Sequence, residues 1–162
     1  MSRSAHDADR TGPNVVDESA FRILLRLEAA KALRFGYSVS VACFCPDLPP
    51  GLARARWIEE TARRLSGRVR ATDVAAPLDD ATLGLLLVDA DTRALDRILA
   101  RVHEAGDEAT RVLRGAAWPV LVSAGAASYP ETTTSGRDLV AEARRLLASG
   151  GPAGRIAPGE PS

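Results

Sequence analysis

This 162-residue sequence contains few residues of the kinds that mark secreted, metal-binding or membrane proteins. It has no run of about 18 apolar residues, so we expect no transmembrane helix. Residues 1–14 are polar and lack the apolar segment of a signal peptide. The only cysteines are Cys43 and Cys45, and the only histidines are His6 and His103, which are too few and too scattered to predict a metal site. We therefore expect a cytoplasmic protein with buried, reduced thiols.

An excess of charge of either sign is also missing, because 21 basic and 21 acidic side chains give a formal net charge of zero. Binding to a long nucleic acid or to an anionic membrane usually requires a basic surface, so we expect neither partner. The basic side chains are 20 arginines and one lysine. A single arginine therefore carries little information, although arginine is the better bidentate ligand for phosphate.

What the sequence does contain is an alternation of helical and strand-like patterns within one domain. The length and the hydrophobic content of 46% fit a single globular unit. We expect this domain at residues 17–149, between flexible tails at 1–16 and 150–162 that are rich in Gly, Pro, Ser and charge. Apolar spacing predicts helices at 17–35, 52–66, 92–105 and 135–150, strands at 38–45 and 119–129, and a β-hairpin at 68–89.

The order of these elements predicts the fold class. The sequence α-β-α-β-β-α-β-α contains the βαββαβ core of a ferredoxin-like α/β (α+β) fold, with added helices. One strand pair is a hairpin and the other strands are separated by helices, so we expect a mixed central sheet covered by helices. Residues 106–117 show no clear pattern.

Several short matches, placed in a fixed order along the chain, support a family resemblance. An Arg34-Phe35-Gly36 run ends the first helix, and the Arg-x-x-Asp motif at 70–73 lies five residues before the hairpin turn at 79–83. A strand at 120–127 reads Val-Leu-Val-Ser-Ala-Gly-Ala-Ala, and Gly-Arg occurs at 154–155. In these features the chain resembles the GGDEF domain, the family of diguanylate cyclases and their inactive relatives. The resemblance implies a nucleotide-cyclase-like fold over about residues 17–156.

The residues that would carry catalysis in this family are changed. The resemblance implies a metal-ligating acidic residue at the third position of the signature turn, but this turn is Asp-Asp-Ala-Thr-Leu and Ala81 occupies that position. The family's first strand ends with a second metal ligand, where Cys45 stands here, or Asp47 if the alignment is shifted by two residues. Phosphoryl transfer depends on metal ions. We therefore expect no catalytic residue, no metal and no enzyme activity, with residual diguanylate cyclase activity as an alternative.

The Arg-x-x-Asp motif predicts a binding site. In this family it is the allosteric site for cyclic di-GMP, which implies that Arg70 and Asp73, joined by Arg101 from the following helix, bind this ligand; no other cofactor is expected. By composition alone, 20 arginines and 12 aspartates yield about 1.5 such pairs by chance, so an ordinary surface hairpin remains open. We expect a receptor domain with a protein partner or a second copy of itself. A ligand-independent interaction or dimerisation module is the alternative.

Overall fold

The computed structural model describes residues 15–79, 82–116, 118, 120–130, 139–148 and 155–156. Most of the two predicted tails therefore lies outside the described residues. The helices are α1 (Glu18–Phe35), α2 (Arg54–Leu65), α3 (Leu95–Arg114) and α4 (Leu139–Ala148), and a short 3-10 turn, Thr92–Ala94, precedes α3. The strands are β1 (Val39–Asp47), β2 (Val74–Asp79), β3 (Thr82–Val88), β4 (Leu121–Tyr129) and β5 (Arg155–Ile156).

The five strands form one sheet in the order β2-β3-β1-β4-β5. The α/β class and the βαββαβ order are confirmed, but the expected mixture of parallel and antiparallel strands is wrong, because all four neighbouring strand pairs are antiparallel. The two strands joined by a βαβ crossover, β1 with β2 and β3 with β4, run in the same direction, but another strand lies between them. β3 lies between β1 and β2, and β1 lies between β3 and β4. Among the described residues, parallel pairing is limited to an isolated bridge between Val15 and Ala75 of β2.

Helices cover both faces of the sheet and create two separate hydrophobic layers. On one face α2 and α3 pack over alternate residues of the strands, with Trp57 and Leu99 among the buried side chains. On the other face α1 and α4 pack over the intervening residues, with Phe21 and Leu139 among those buried. This alternation follows from the period of two in a strand, which points successive side chains to opposite faces.

The third helix is longer than its sequence pattern predicts, because it continues to Arg114 rather than ending near residue 105. Gly106 suggests a break in the pattern, but here it allows a close approach between helices. A Cβ at this position would lie 2.5 Å from Cζ2 of the buried Trp57 on α2. The Trp57 indole N–H also donates to Oγ1 of Thr110, 3.0 Å away on α3. Residues 106–114 are therefore part of the α2–α3 packing.

The two ends of the domain contribute backbone pairing to the edges of the sheet. The Val16 N–H donates to the Ala75 carbonyl at 3.0 Å beside β2. At the opposite edge, Arg155 and Ile156 pair with Ser123 and Val122 of β4, within the segment predicted as the C-terminal tail. No helix in the described part of the chain combines the length and the apolar character needed to span a membrane.

Candidate functional site

The Arg-x-x-Asp motif forms a closed turn immediately before β2. The Asp73 N–H donates to the Arg70 carbonyl at 2.9 Å. In return, the Asp73 carboxylate accepts the Arg70 N–H at 3.2 Å and the Val88 N–H, from the end of β3, also at 3.2 Å. Asp73 is only 1% exposed. A buried carboxylate is tolerated when hydrogen bonds compensate its lost hydration. Asp73 therefore ties the turn to the last residue of β3.

Arg70 lies above this carboxylate at the rim of the turn. Its Nη2 donates to the Val88 carbonyl at 2.6 Å, and its Nε lies 3.6 Å from Oδ2 of Asp73. The side chain is nevertheless 53% exposed. Because a guanidinium carries five N–H donors, these contacts can orient the group while its side chain stays exposed to solvent.

Arg101 lies on α3 and reaches toward the same turn. Its side chain is half-buried. Its Nη1 donates to the backbone carbonyl of Arg68 at 2.5 Å. Arg68 is itself bonded to Glu108 of α3, which Arg64 also contacts at 3.0 Å. The close packing of α3 against the segment that follows α2 explains why Arg101 bridges these elements instead of extending into solvent.

These three residues line one cleft of about 400 Å³ between the turn at 70–73, the end of β3 and the start of α3. The cleft wall also includes residues that the sequence analysis did not select: Leu87, Asp89, Ala90, Asp91, Arg93, Ala94, Arg97 and Ile98. Four arginines and three aspartates make its formal charge positive by one. Arg97 and Arg101 are four residues apart and lie on one side of α3, and Arg93 precedes them in the 3-10 turn. Their regular spacing was visible in the sequence.

The carboxylates of the cleft are not equivalent. Asp91 accepts hydrogen bonds from Nε of Arg93 at 2.9 Å and from Nη2 at 2.6 Å, and hydrogen bonding by Arg93 holds the Asp91 pKa below its ordinary value. Asp73 is engaged by the turn and by Arg70. Arg97 is exposed on the cleft wall. The cleft thus contains two carboxylates that contact arginines, the exposed carboxylate of Asp89, and arginines that can bind an anion.

A second region, at the end of β1, contains the positions where the family resemblance implies metal ligands. Cys45 is partly buried and pairs with Ser123, whereas Asp47 is exposed and pairs with Leu121. Residues 45 and 47 share one side of the strand. Asp79 pairs with Thr82 across the hairpin, and Asp80 and Ala81 lie outside the described residues. Within the described ranges, no three Cys, His, Asp or Glu side chains group closely enough to hold a metal ion.

The fold matches solved structures that place the domain in a defined structural class. A DGC protein from Thermotoga maritima matches with a TM-score of 0.65 at 16% identity, over 85% of this chain and 98% of that one. The GGDEF domain of DgcB from Caulobacter crescentus, solved in complex with c-di-GMP, matches with a TM-score of 0.63 at 16% identity, over 96% and 93%. The diguanylate cyclase SiaD from Pseudomonas aeruginosa, in complex with its activator SiaC, gives 0.67 at 18% identity, over 94% and 64%. The chain therefore has the fold of GGDEF domains.

The family itself is established by sequence. The model of the family "Diguanylate cyclase, GGDEF domain" matches residues 56–156, which is more than half of the chain. The chain therefore belongs to the GGDEF domain family, whose members are normally diguanylate cyclases, and it is a GGDEF-domain signalling protein. The search of curated proteins finds no significant match.

Proposed function

We propose that this chain is a catalytically inactive GGDEF domain that binds cyclic di-GMP in the cleft lined by Arg70, Asp73 and Arg101. One observation carries the proposal: three residues selected by their positions in the sequence, from two separate elements, line the same cleft of about 400 Å³. Cyclic di-GMP presents two phosphates and two guanine edges. Arginine forks suit both kinds of group, because they donate parallel, charge-assisted hydrogen bonds.

The three residues have different roles in this proposal. Arg70, with more than half of its side chain exposed, and Arg101 make the direct contacts with phosphate or guanine. Arg97 adds a third guanidinium on the same wall. Because Asp73 is buried and accepts two backbone N–H groups, we assign it first to holding Arg70 in place. Its remaining lone pairs are the acceptors for guanine N–H groups that the family resemblance implies.

The proposed lack of catalysis depends on the donor groups at the other end of the sheet. Magnesium prefers carboxylate and other oxygen ligands, and a cysteine thiol is a soft ligand that suits other metals. Ala81 has no ligand atom, and the second position is occupied by Cys45, or by Asp47 if the alignment is shifted by two residues. The residues present therefore do not fit the magnesium site of a cyclase. Purified protein incubated with GTP and Mg²⁺ or Mn²⁺ should give no cyclic di-GMP. Product that disappears in an Asp47→Ala variant would contradict the inactive assignment.

A ligand-independent interaction module is the second candidate, and one observation favours it. The Asp73 carboxylate and the Arg70 guanidinium already make hydrogen bonds that stabilise the turn, which is sufficient to explain both residues without a ligand. This function predicts an oligomer or partner complex whose stability cyclic di-GMP does not change. In either case we propose a cytoplasmic setting, which Cys43 and Cys45 support because neither forms a disulfide.

Isothermal titration calorimetry with cyclic di-GMP separates the two functions. We expect binding with a Kd of about 1–50 µM, and a loss of at least about tenfold in affinity in Arg70→Ala and in Arg101→Ala, equivalent to about 1.4 kcal/mol. Arg145→Ala is the matched control, because Arg145 is exposed on α4, pairs with Glu142 and lies outside the cleft. No heat at about 100 µM ligand, or equal affinity in all variants, would eliminate the receptor function.

A further inference from the structure

The first helix carries an exposed apolar stripe on the side that faces away from the domain. Ile23 and Leu27 are 56% and 54% exposed, and Leu33 is 72% exposed. Ala30 is also exposed and completes an i, i+4, i+7 row with Ile23 and Leu27. These three residues are the α1 stripe, and Leu33 lies beside them. The opposite side of α1 is buried against the sheet through Phe21, Leu25 and Ala32. α1 therefore presents apolar side chains in two directions, and only one of them is covered by the described parts of the domain.

Basic side chains flank this stripe and end it. Arg22 and Arg26 lie on one side and Lys31 on the other, and Arg34, four residues after Ala30, ends the row at its C-terminal side. Glu18 pairs with Arg22 at 3.0 Å, and Glu28 pairs with Lys31 at 3.2 Å. Within the described residues no carboxylate forms an ion pair with Arg26 or Arg34. The border of the stripe therefore has excess positive charge, in contrast to the zero formal net charge of the chain.

From this arrangement we infer that the α1 stripe docks an acidic amphipathic helix of a partner protein. An apolar row at i, i+4 and i+7 fits the seam of a second helix, and carboxylates beside that seam would meet Arg26 and Arg34. A second copy of this chain fits less well, because it would place like charges opposite each other. A bilayer fits less well too, because an interfacial helix needs a broad apolar face, whereas Arg26 borders this row on one side and Arg34 ends it.

A designed helical peptide of about 21 residues tests the inference, with Leu at the a and d positions and Glu at the flanking e and g positions. A second peptide differs only in carrying Lys at the flanking positions. Binding of each to the full chain is measured by fluorescence anisotropy of a labelled peptide. Leu27→Asp removes the centre of the stripe, and a double variant, Arg26→Glu with Arg34→Glu, reverses its border. Val112→Asp is the control, because Val112 is exposed to a similar extent, 59%, on α3.

We expect the Glu peptide to bind at least about tenfold more tightly than the Lys peptide, with affinity that falls as salt rises from about 0.05 to 0.5 M. Leu27→Asp should weaken binding at least tenfold, Val112→Asp less than twofold, and the double variant should reverse the preference between the peptides. No binding of the Glu peptide, or equal binding of both peptides, would overturn the inference. Two further results would also overturn it, if the peptides do not bind. One is self-association of the unmodified chain that Leu27→Asp abolishes. The other is binding of the unmodified chain to phosphatidylserine vesicles that Leu27→Asp abolishes.

Discussion

Replacing Asp73 by alanine should destabilise the domain strongly, although its motif was selected as a ligand site. The carboxylate is 1% exposed and accepts the N–H groups of Arg70 and Val88, each at 3.2 Å. In Asp73→Ala both donors lose their partner, and the turn before β2 loses its connection to the end of β3. The expected result is a less stable protein in which Arg70 is also less well positioned for a ligand.

The size of the effect can be worked from these contacts. A hydrogen bond to a charged group contributes about 1.5–3 kcal/mol, and 3.2 Å is at the long end of the usual range. Two bonds at the lower limit give about 3 kcal/mol. The 3.6 Å ion pair with the half-exposed Arg70 adds no more than about 0.5 kcal/mol, because solvent screens it. Asp73→Asn should cost about 2 kcal/mol, since the amide offers one oxygen and places an NH₂ group against the second donor.

Urea unfolding, followed by fluorescence of the buried Trp57, measures these differences at a constant m-value. Asp47→Ala is the control, because Asp47 is an exposed carboxylate at the end of β1. It should change the free energy of unfolding by less than about 0.5 kcal/mol. If Asp73→Ala unfolds within about 0.5 kcal/mol of the unmodified protein, Asp73 does not hold the turn and the assigned positioning role is wrong.

Three other predictions follow from contacts outside the cleft. Gly125→Ala should lower the free energy of unfolding by about 2–3 kcal/mol, because a Cβ would overlap the backbone of α4; an unchanged Tm would contradict this. Trp57→Phe should cost about 1–2 kcal/mol, because it removes the donor to Thr110; circular dichroism in urea measures the loss, and equal midpoints would refute it. Tyr37 donates to Glu28 at 2.9 Å, and burial and this bond raise its pKa to about 12. Its stabilising effect should be complete below about pH 10 and decline toward pH 12. Absorbance of the phenolate should show a late titration that is missing in Tyr37→Phe; a titration near pH 10 would contradict the assignment.

Much of the fold could be predicted because its elements have strong local patterns. Phe21 and Leu25 mark the buried side of α1, and the β-branched run that begins at Val39 marks β1. The antiparallel sheet could not be predicted in this way, since strand adjacency depends on how crossovers pack and not on the pattern within a strand. The end of α3 was also missed. Gly106 has poor helix propensity. A glycine is nevertheless favourable at this position, because a Cβ would overlap the ring of Trp57.

For the candidate site, the identity of the residues could be predicted, but the contacts that they make could not. The family resemblance selected Arg70, Asp73 and Arg101, and all three line one cleft. Their surroundings depend on tertiary contacts that no local pattern contains: Val88 reaches Asp73 from another strand, and Arg101 bonds to the Arg68 carbonyl from α3. These contacts bury the Asp73 carboxylate and orient the Arg101 guanidinium on the cleft wall.

The measurement that tests the proposed function most directly is a crystal structure of the full chain with cyclic di-GMP. The account predicts ligand density in the cleft, with Arg70 and Arg101 donating to a phosphate or a guanine edge, and no ligand where the end of β1 lies beside the start of β4. Density bound instead beside Cys45 and Asp47, or an empty cleft in crystals grown at a saturating ligand concentration, would contradict it.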